Sequence, residues 1–185
     1  GFAIYKNIKI DEAAQNDINR FFESLVNNQG DQTLSIKKHS ELLKQYYIYR
    51  SDYYQIIIGD LDAQDTLQNS HYLNERHQLT YYWLKNEFAL LDPAISVYKL
   101  LSSNRFAILL QNKNDHYMDD LQHIQQKYNT YFDGTLSFGI GNEVIEFTQL
   151  ASSFFEANEA YESSVQEGQK SFITFYQSKN INELL

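Results

Sequence analysis

The alternation of apolar and polar positions divides the chain into helical and extended stretches. From Asp11 to Asn28, Ala14, Ile18, Phe21, Phe22, Leu25 and Val26 recur at helical spacing, and Gly30 stands where a helix would stop. A second helical stretch, about 34–47, puts Ile36, Leu43 and Tyr47 on one side. The period then changes. In YQIIIGDLD, 54–62, the unbroken Ile56, Ile57 and Ile58 predict a central strand buried on both faces, ending on Asp60 and Asp62. Residues 66–91 carry Leu73, His77, Tyr81, Leu84, Phe88 and Leu91 at steps of three and four, a long helix closed by Asp92 and Pro93.

Next comes ISVYKLLSSNRFAILLQ, 95–111, two β-rich runs around the polar turn Ser102, Ser103, Asn104 and Arg105, which reads as a hairpin. Met118, Leu121, Ile124 and Tyr128 predict a helix over about 115–131, and DGTLSFGIG, 133–141, a turn and a strand. Leu150, Phe154, Ala157, Tyr161 and Val165 mark the last long helix, with Gly168 as its stop, and SFITFY, 171–176, a final strand. From Tyr54 onward the order is strand, helix, strand, strand, helix, strand, helix, strand. That order implies an α+β fold of the ferredoxin-like sort: an antiparallel-rich sheet of about five strands covered by helices, preceded by an N-terminal helical pair. The expected organisation is a helical segment over 1–50, packed on or leading into a domain over 51–185.

Charge and composition narrow the function. A chain of 185 residues with 43% apolar residues can bury one substantial core. A net charge of −9 disfavours a nucleic-acid surface within these residues, because phosphate contacts are made by Lys and Arg. The absence of cysteine excludes disulfides and thiolate metal sites. No apolar run approaches the length of about eighteen residues that crosses a bilayer, and no secretory signal is evident, so a cytoplasmic protein without a membrane partner is expected.

Chemistry-bearing groupings are sparse. Tyr46, Tyr47, Tyr49, Tyr53 and Tyr54 form a dense aromatic group that either packs against the sheet edge or lines a ligand. His116 and His123 share one helix face two turns apart with no further metal ligand, and His71 and His77 are poorly spaced for one. His77 falls in an apolar stripe, as a core or boundary histidine does. No serine stands in a nucleophile elbow, and GIG within SFGIG is too short for a phosphate loop. No catalytic residue is assigned and no cofactor is expected.

One resemblance spans residues 54–176. SSNRFAILL falls on the GGDEFAILL hairpin of the GGDEF family of diguanylate cyclases, with the run Phe106 to Leu110 matching, and Asp60 falls on that family's first-strand metal ligand. FFESLVNN, YYQIIIGDLD, SFGIG and FFEANEAYESSVQEGQKSFITFYQ together resemble the degenerate GGDEF-like domain of bacterial AraC-type response regulators. A related version occurs in PucR-type and sugar-diacid regulators. In a working cyclase the hairpin glycines let backbone approach the nucleotide and the acidic pair binds Mg²⁺. Here Ser102 and Ser103 replace both glycines, Asn104 replaces the Asp and Arg105 the Glu. Gln68 and His77 stand near the guanine-contacting positions, and Pro93 and Ser96 near the inhibitory ones, without matching.

The resemblance therefore implies a non-catalytic regulatory domain of a bacterial transcription regulator. An upstream sensor or receiver and a downstream DNA-binding helix-turn-helix would lie outside this stretch. The alternative is a small-molecule or nucleotide sensor using the vacated cleft or the tyrosine-rich junction. Asp60 is expected to take a structural or solvated role, of which pairing with Arg105 across the sheet top is one form, with Asp60 and Asp62 only weak metal candidates. Phe21, Phe22 and Leu25 are the expected coupling surface, partly against the core and partly against a partner chain, which makes a homodimer a candidate state.

Overall fold

A computed structural model of the chain describes residues 51–63, 70–100 and 105–177. The expected N-terminal helices, the coupling cluster of Phe21, Phe22 and Leu25, and the hairpin residues Ser102, Ser103 and Asn104 lie outside these. The elements run β1 (Gln55–Leu61), α1 (Ser70–Leu91), β2 (Ser96–Lys99), β3 (Phe106–Leu110), α2 (Tyr117–Phe132), β4 (Leu136–Ile140), a 3₁₀ turn (Phe147–Gln149), α3 (Leu150–Gln166) and β5 (Ile173–Phe175).

The strands form one sheet in the order β2-β3-β1-β4-β5. Pairings β2/β3, β1/β3 and β1/β4 are antiparallel, and β4/β5 is parallel. The first four strands with α1 and α2 thus make a βαββαβ unit, and α3 with β5 extends it at the β4 edge. This is the α+β, five-stranded, helix-covered sheet that the alternation of elements predicts.

The three isoleucines of β1 explain the layering. Ile56 and Ile58 face Leu150, Phe154, Ala157 and Tyr161 of α3, while Ile57 faces Tyr81, Leu84 and Phe88 of α1 and Leu121, Ile124 and Tyr128 of α2. A strand covered on both sides has no polar face to alternate with. The tyrosine junction divides the same way: Tyr54 is buried in the α3 layer and Tyr53 in the α1/α2 layer. Both therefore pack in the core, and Tyr46, Tyr47 and Tyr49 lie outside the described residues. Three stripe positions read as core are exposed: Leu73 and Leu91 near the ends of α1, and Val165 at the end of α3.

The two layers are built differently. A Cβ at Gly139 would stand 2.4 Å from the Ala157 carbonyl oxygen, and one at Gly141 would stand 2.1 Å from that of Ser153. Helix α3 therefore rests its backbone on β4, with small residues at the crossing. Ser153 Oγ accepts a hydrogen bond from the Ile56 N–H at 3.0 Å and donates to the Asn142 carbonyl at 2.8 Å, tying helix to strand. The glycines of SFGIG are seats for a helix. On the other face large rings separate helix from sheet, and Thr80 and Tyr128 hydroxyls join α1 to α2 at 2.8 Å.

Strands β2 and β3 pair as the antiparallel hairpin read from the sequence, and the residues between Leu100 and Arg105 lie outside those described. The last paired residues are Lys99 and Phe106, and the Leu100 N–H donates to the Arg105 carbonyl at 2.7 Å. The last strand pairing therefore lies outside the polar quartet.

Candidate functional site at the head of the central strand

Because both neighbours of β1 run antiparallel to it, the C-terminal end of β1 meets the beginnings of β3 and β4. Asp60, Arg105 and Thr135 are thereby brought to one rim of the sheet, and the first turns of α1 add His77. Asp60 does not pair with Arg105. Its Oδ1 lies 2.9 Å from His77 Nε2 and accepts the Leu61 N–H at 2.7 Å. His77 Nδ1 lies 2.8 Å from the Leu73 carbonyl oxygen. Both ring nitrogens thus face acceptors, and only the doubly protonated imidazolium can donate to both. The pair is largely enclosed, with His77 13% and Asp60 18% exposed.

The hydrogen bond to Asp60 is the main force holding the His77 pKa above its ordinary value of 6.5, aided by the Leu73 carbonyl and opposed by burial and by Lys99. A raised folded-state pKa contributes stability that is fully present below about pH 6.5 and is lost as pH rises through the elevated value. The stability difference between the native chain and His77→Gln should therefore be largest in mild acid and shrink on going alkaline. Melting curves between about pH 5 and about pH 9 check this, and a flat difference would refute it.

Arg105 turns to the other layer. Its guanidinium donates to Glu162 and, at 3.4 Å, to Asn158 Oδ1, and lies 4.7 Å from the centre of the Tyr161 ring, all on α3. Asp60 thus has a structural partner, but it is His77 and not Arg105, for a topological reason. Arg105 opens β3 on the α3 side, where a carboxylate and a ring are available, while α1 delivers a cation to Asp60. Burial, followed by Asp60, pushes the Tyr161 phenol well above its ordinary range, so it stays a neutral stacking surface at physiological pH.

Asp62 is committed to structure. Its carboxylate accepts from Thr135 Oγ1 and Ser137 Oγ, both at 2.6 Å, and from the Ser171 N–H at 2.7 Å. Three donors, from Thr135 just before β4, from Ser137 within it and from the approach to β5, converge on one side chain, which leaves little to offer a metal. Among the described residues no group of three or more His, Cys, Asp or Glu side chains is disposed to hold a metal ion. His116, just before α2, and His123 on it are both exposed.

A cavity of about 220 Å³ opens beside these groups, walled by Asp60, Leu61, Asp62, Leu73, Arg76 and His77 among others. Arg76 was not singled out by its pattern. Its guanidinium donates to the Phe132 carbonyl and to Tyr72 Oη at 3.2 Å, capping the C-terminal end of α2 from α1. Gln125 was also missed: it is buried, and its Nε2 donates to the Leu136 and Phe172 carbonyls at 2.9 and 3.0 Å. A polar residue beside Ile124 in an otherwise apolar helix stripe was the available signal.

No helix among the described residues is long and apolar enough to cross a membrane. No family model matches the chain, and no curated protein does. Among solved structures the chain has a remote likeness to the active GGEEF domain of a diguanylate cyclase from Vibrio cholerae, at 13% identity and a TM-score of 0.49, covering 76% of this chain and 90% of that one.

Proposed function

We propose that this chain is a non-catalytic, GGDEF-like signalling domain that senses a small molecule in the cavity at the head of β1. The observation that carries this reading is the Asp60–His77 pair. The carboxylate that the family resemblance assigns to metal is held by the His77 ring, and Arg105, standing where the resemblance expects an acid, is held by α3. Charges committed to protein partners do not serve phosphoryl transfer, which depends on positioning and on metal-borne charge. The cavity remains. Benzene occupies an apolar cavity of about 150 Å³, so a space of about 220 Å³ suits a ligand of roughly nine non-hydrogen atoms and not a nucleoside triphosphate. Leu61 and Leu73 offer its body an apolar wall, and Asp60 Oδ2, which takes neither of the bonds made by Oδ1, offers an acceptor for an N–H or O–H group.

A thermal-shift screen of small polar metabolites, run on the native chain and on Leu73→Trp, tests the reading. The indole fills the cavity from an exposed position, so a stabilising compound should lose its effect in the variant while the unliganded melt stays put. Incubation with GTP and Mn²⁺, resolved by chromatography, should give no cyclic di-GMP from the native chain or from Asn104→Asp with Arg105→Glu. Product from the native chain would overturn the non-enzymatic half of the proposal.

The placement of such a domain between a receiver and a DNA-binding segment is a second reading, supported by the family resemblance of FFEANEAYESSVQEGQKSFITFYQ. It makes this domain a coupling element of a transcription regulator, with the ligand cavity as one of its inputs.

A further inference from the structure

Arg76 is a cation without an acid. Among the described residues Asp60 pairs with His77, Arg105 with Glu162 and Lys127 with Glu87, and Arg76 belongs to none of these ion pairs. Its bonds go to two neutral acceptors, the Phe132 carbonyl oxygen and Tyr72 Oη, and its Nε–H is shut away from water with no acceptor at all. A guanidinium presents five N–H donors in a flat fork whose natural partner is a carboxylate. Buried donors of a folded protein are bonded as a rule, so an unanswered one on a charged group marks a place for a partner from outside the chain.

Arg76 lines the cavity at the head of β1, and so does a second polar group with an atom to spare. Asp60 Oδ2 takes no hydrogen bond among the described residues. We propose that the ligand of this cavity is a free α-amino acid with an apolar side chain, its carboxylate on the Arg76 guanidinium and its ammonium on Asp60 Oδ2. Such a ligand presupposes the sensor reading given above and names its chemical class.

The charges on the wall select it. A simple carboxylate answers Arg76 but brings a further negative charge beside Asp60 and Asp62, which share the lining, and a phosphate brings more. An amine answers Asp60 and leaves Arg76 as it was. A zwitterion serves both and adds no net charge. Its two charges must stand few bonds apart, because Arg76 and His77 are consecutive on α1 and His77 Nε2 lies 2.9 Å from Asp60 Oδ1. Of the roughly nine non-hydrogen atoms that suit the space, about five carbons remain once the carboxylate and the nitrogen are placed, and Leu61, Ala63 and Leu73 give them an apolar wall. Leucine has that composition.

Isothermal titration of the native chain with L-leucine, with isocaproate, which is leucine without its amino group, and with leucinamide, which has no carboxylate, tests the assignment. Leucine should bind at least about tenfold more tightly than either analogue, since each lacks one charge-assisted contact in an enclosed site. Arg76→Gln should bring leucine down to the level of leucinamide, Asp60→Asn should bring it to that of isocaproate, and Leu73→Trp should abolish its binding. Equal binding of the three probes by the native chain would overturn the proposal, and that comparison needs no variant. Leucine binding that survives Leu73→Trp would also overturn it. So would a screen in which some other compound stabilises the native chain and not Leu73→Trp while leucine, isoleucine and methionine fail to bind. That last result leaves the sensor reading standing, whereas a screen without any hit removes both.

Discussion

Gly141→Ala should be among the most damaging single methyl additions to this domain. The new Cβ would stand 2.1 Å from the Ser153 carbonyl oxygen, and the obstacle is helix backbone that cannot rotate away as a side chain would. Overpacking costs typically about 1–3 kcal/mol, and a backbone-to-backbone clash belongs at the upper end, about 3 kcal/mol. For a domain of this size that lowers the melting temperature by about 6–12 °C. Gly139→Ala, at 2.4 Å from the Ala157 carbonyl oxygen, should behave alike. Gly168→Ala separates space from conformation: nothing lies within 4 Å of its Cβ, but its φ of 74° is left-handed, so it should lose only about 1 kcal/mol. Thermal unfolding followed by circular dichroism checks all three. Near-equal melting of Gly141→Ala and the native chain would show that α3 can lift off β4.

Asp62→Ala should cost about 3 kcal/mol, since leaving donors unsatisfied in a partly buried position costs roughly 1–3 kcal/mol and this carboxylate serves three of them. The loss should be local first. Hydrogen exchange at the Ser171 amide should accelerate before the core melts, because that N–H has the Asp62 carboxylate as its partner. Asp62→Asn, keeping one acceptor oxygen, should recover about half of the stability. If Asp62→Ala instead melts like the native chain while losing divalent-metal binding, the carboxylate is a ligand and not a tie.

The legible parts of the fold were those governed by local period. Ile56, Ile57 and Ile58 could be read as doubly covered because a strand with one wet face alternates, and this one does not. The stripe of α1 gave the helix and placed His77 at its boundary. What the period could not supply were partners distant in sequence: Glu162 lies 57 residues from Arg105, and which carboxylate that cation reaches depends on the layer it faces. Asp60 and His77 are 17 residues apart, yet their pairing emerges only once α1 is known to start over the end of β1. The glycines of SFGIG were visible, but their function as a seat exists only in the presence of α3. Leu73, Leu91 and Val165 fit their stripes and are nevertheless exposed, because periodicity tells which side of a helix is apolar and not how far along it the cover extends.

The unequal construction of the two layers fixes where this molecule can yield. Backbone resting on backbone at Gly139 and Gly141 leaves α3 no thickness of side chain to shear through, so α3, β4 and β1 must move as a slab. Opposite them, α1 and α2 ride on Tyr81, Leu84, Phe88, Tyr128 and Phe138, whose rings and branches can re-seat as a helix slides. Relative sliding of helix and sheet is therefore expected on the α1 side. The Asp60–His77 link joins β1 to α1 across that softer layer, so the hold between them should weaken as His77 gives up its proton.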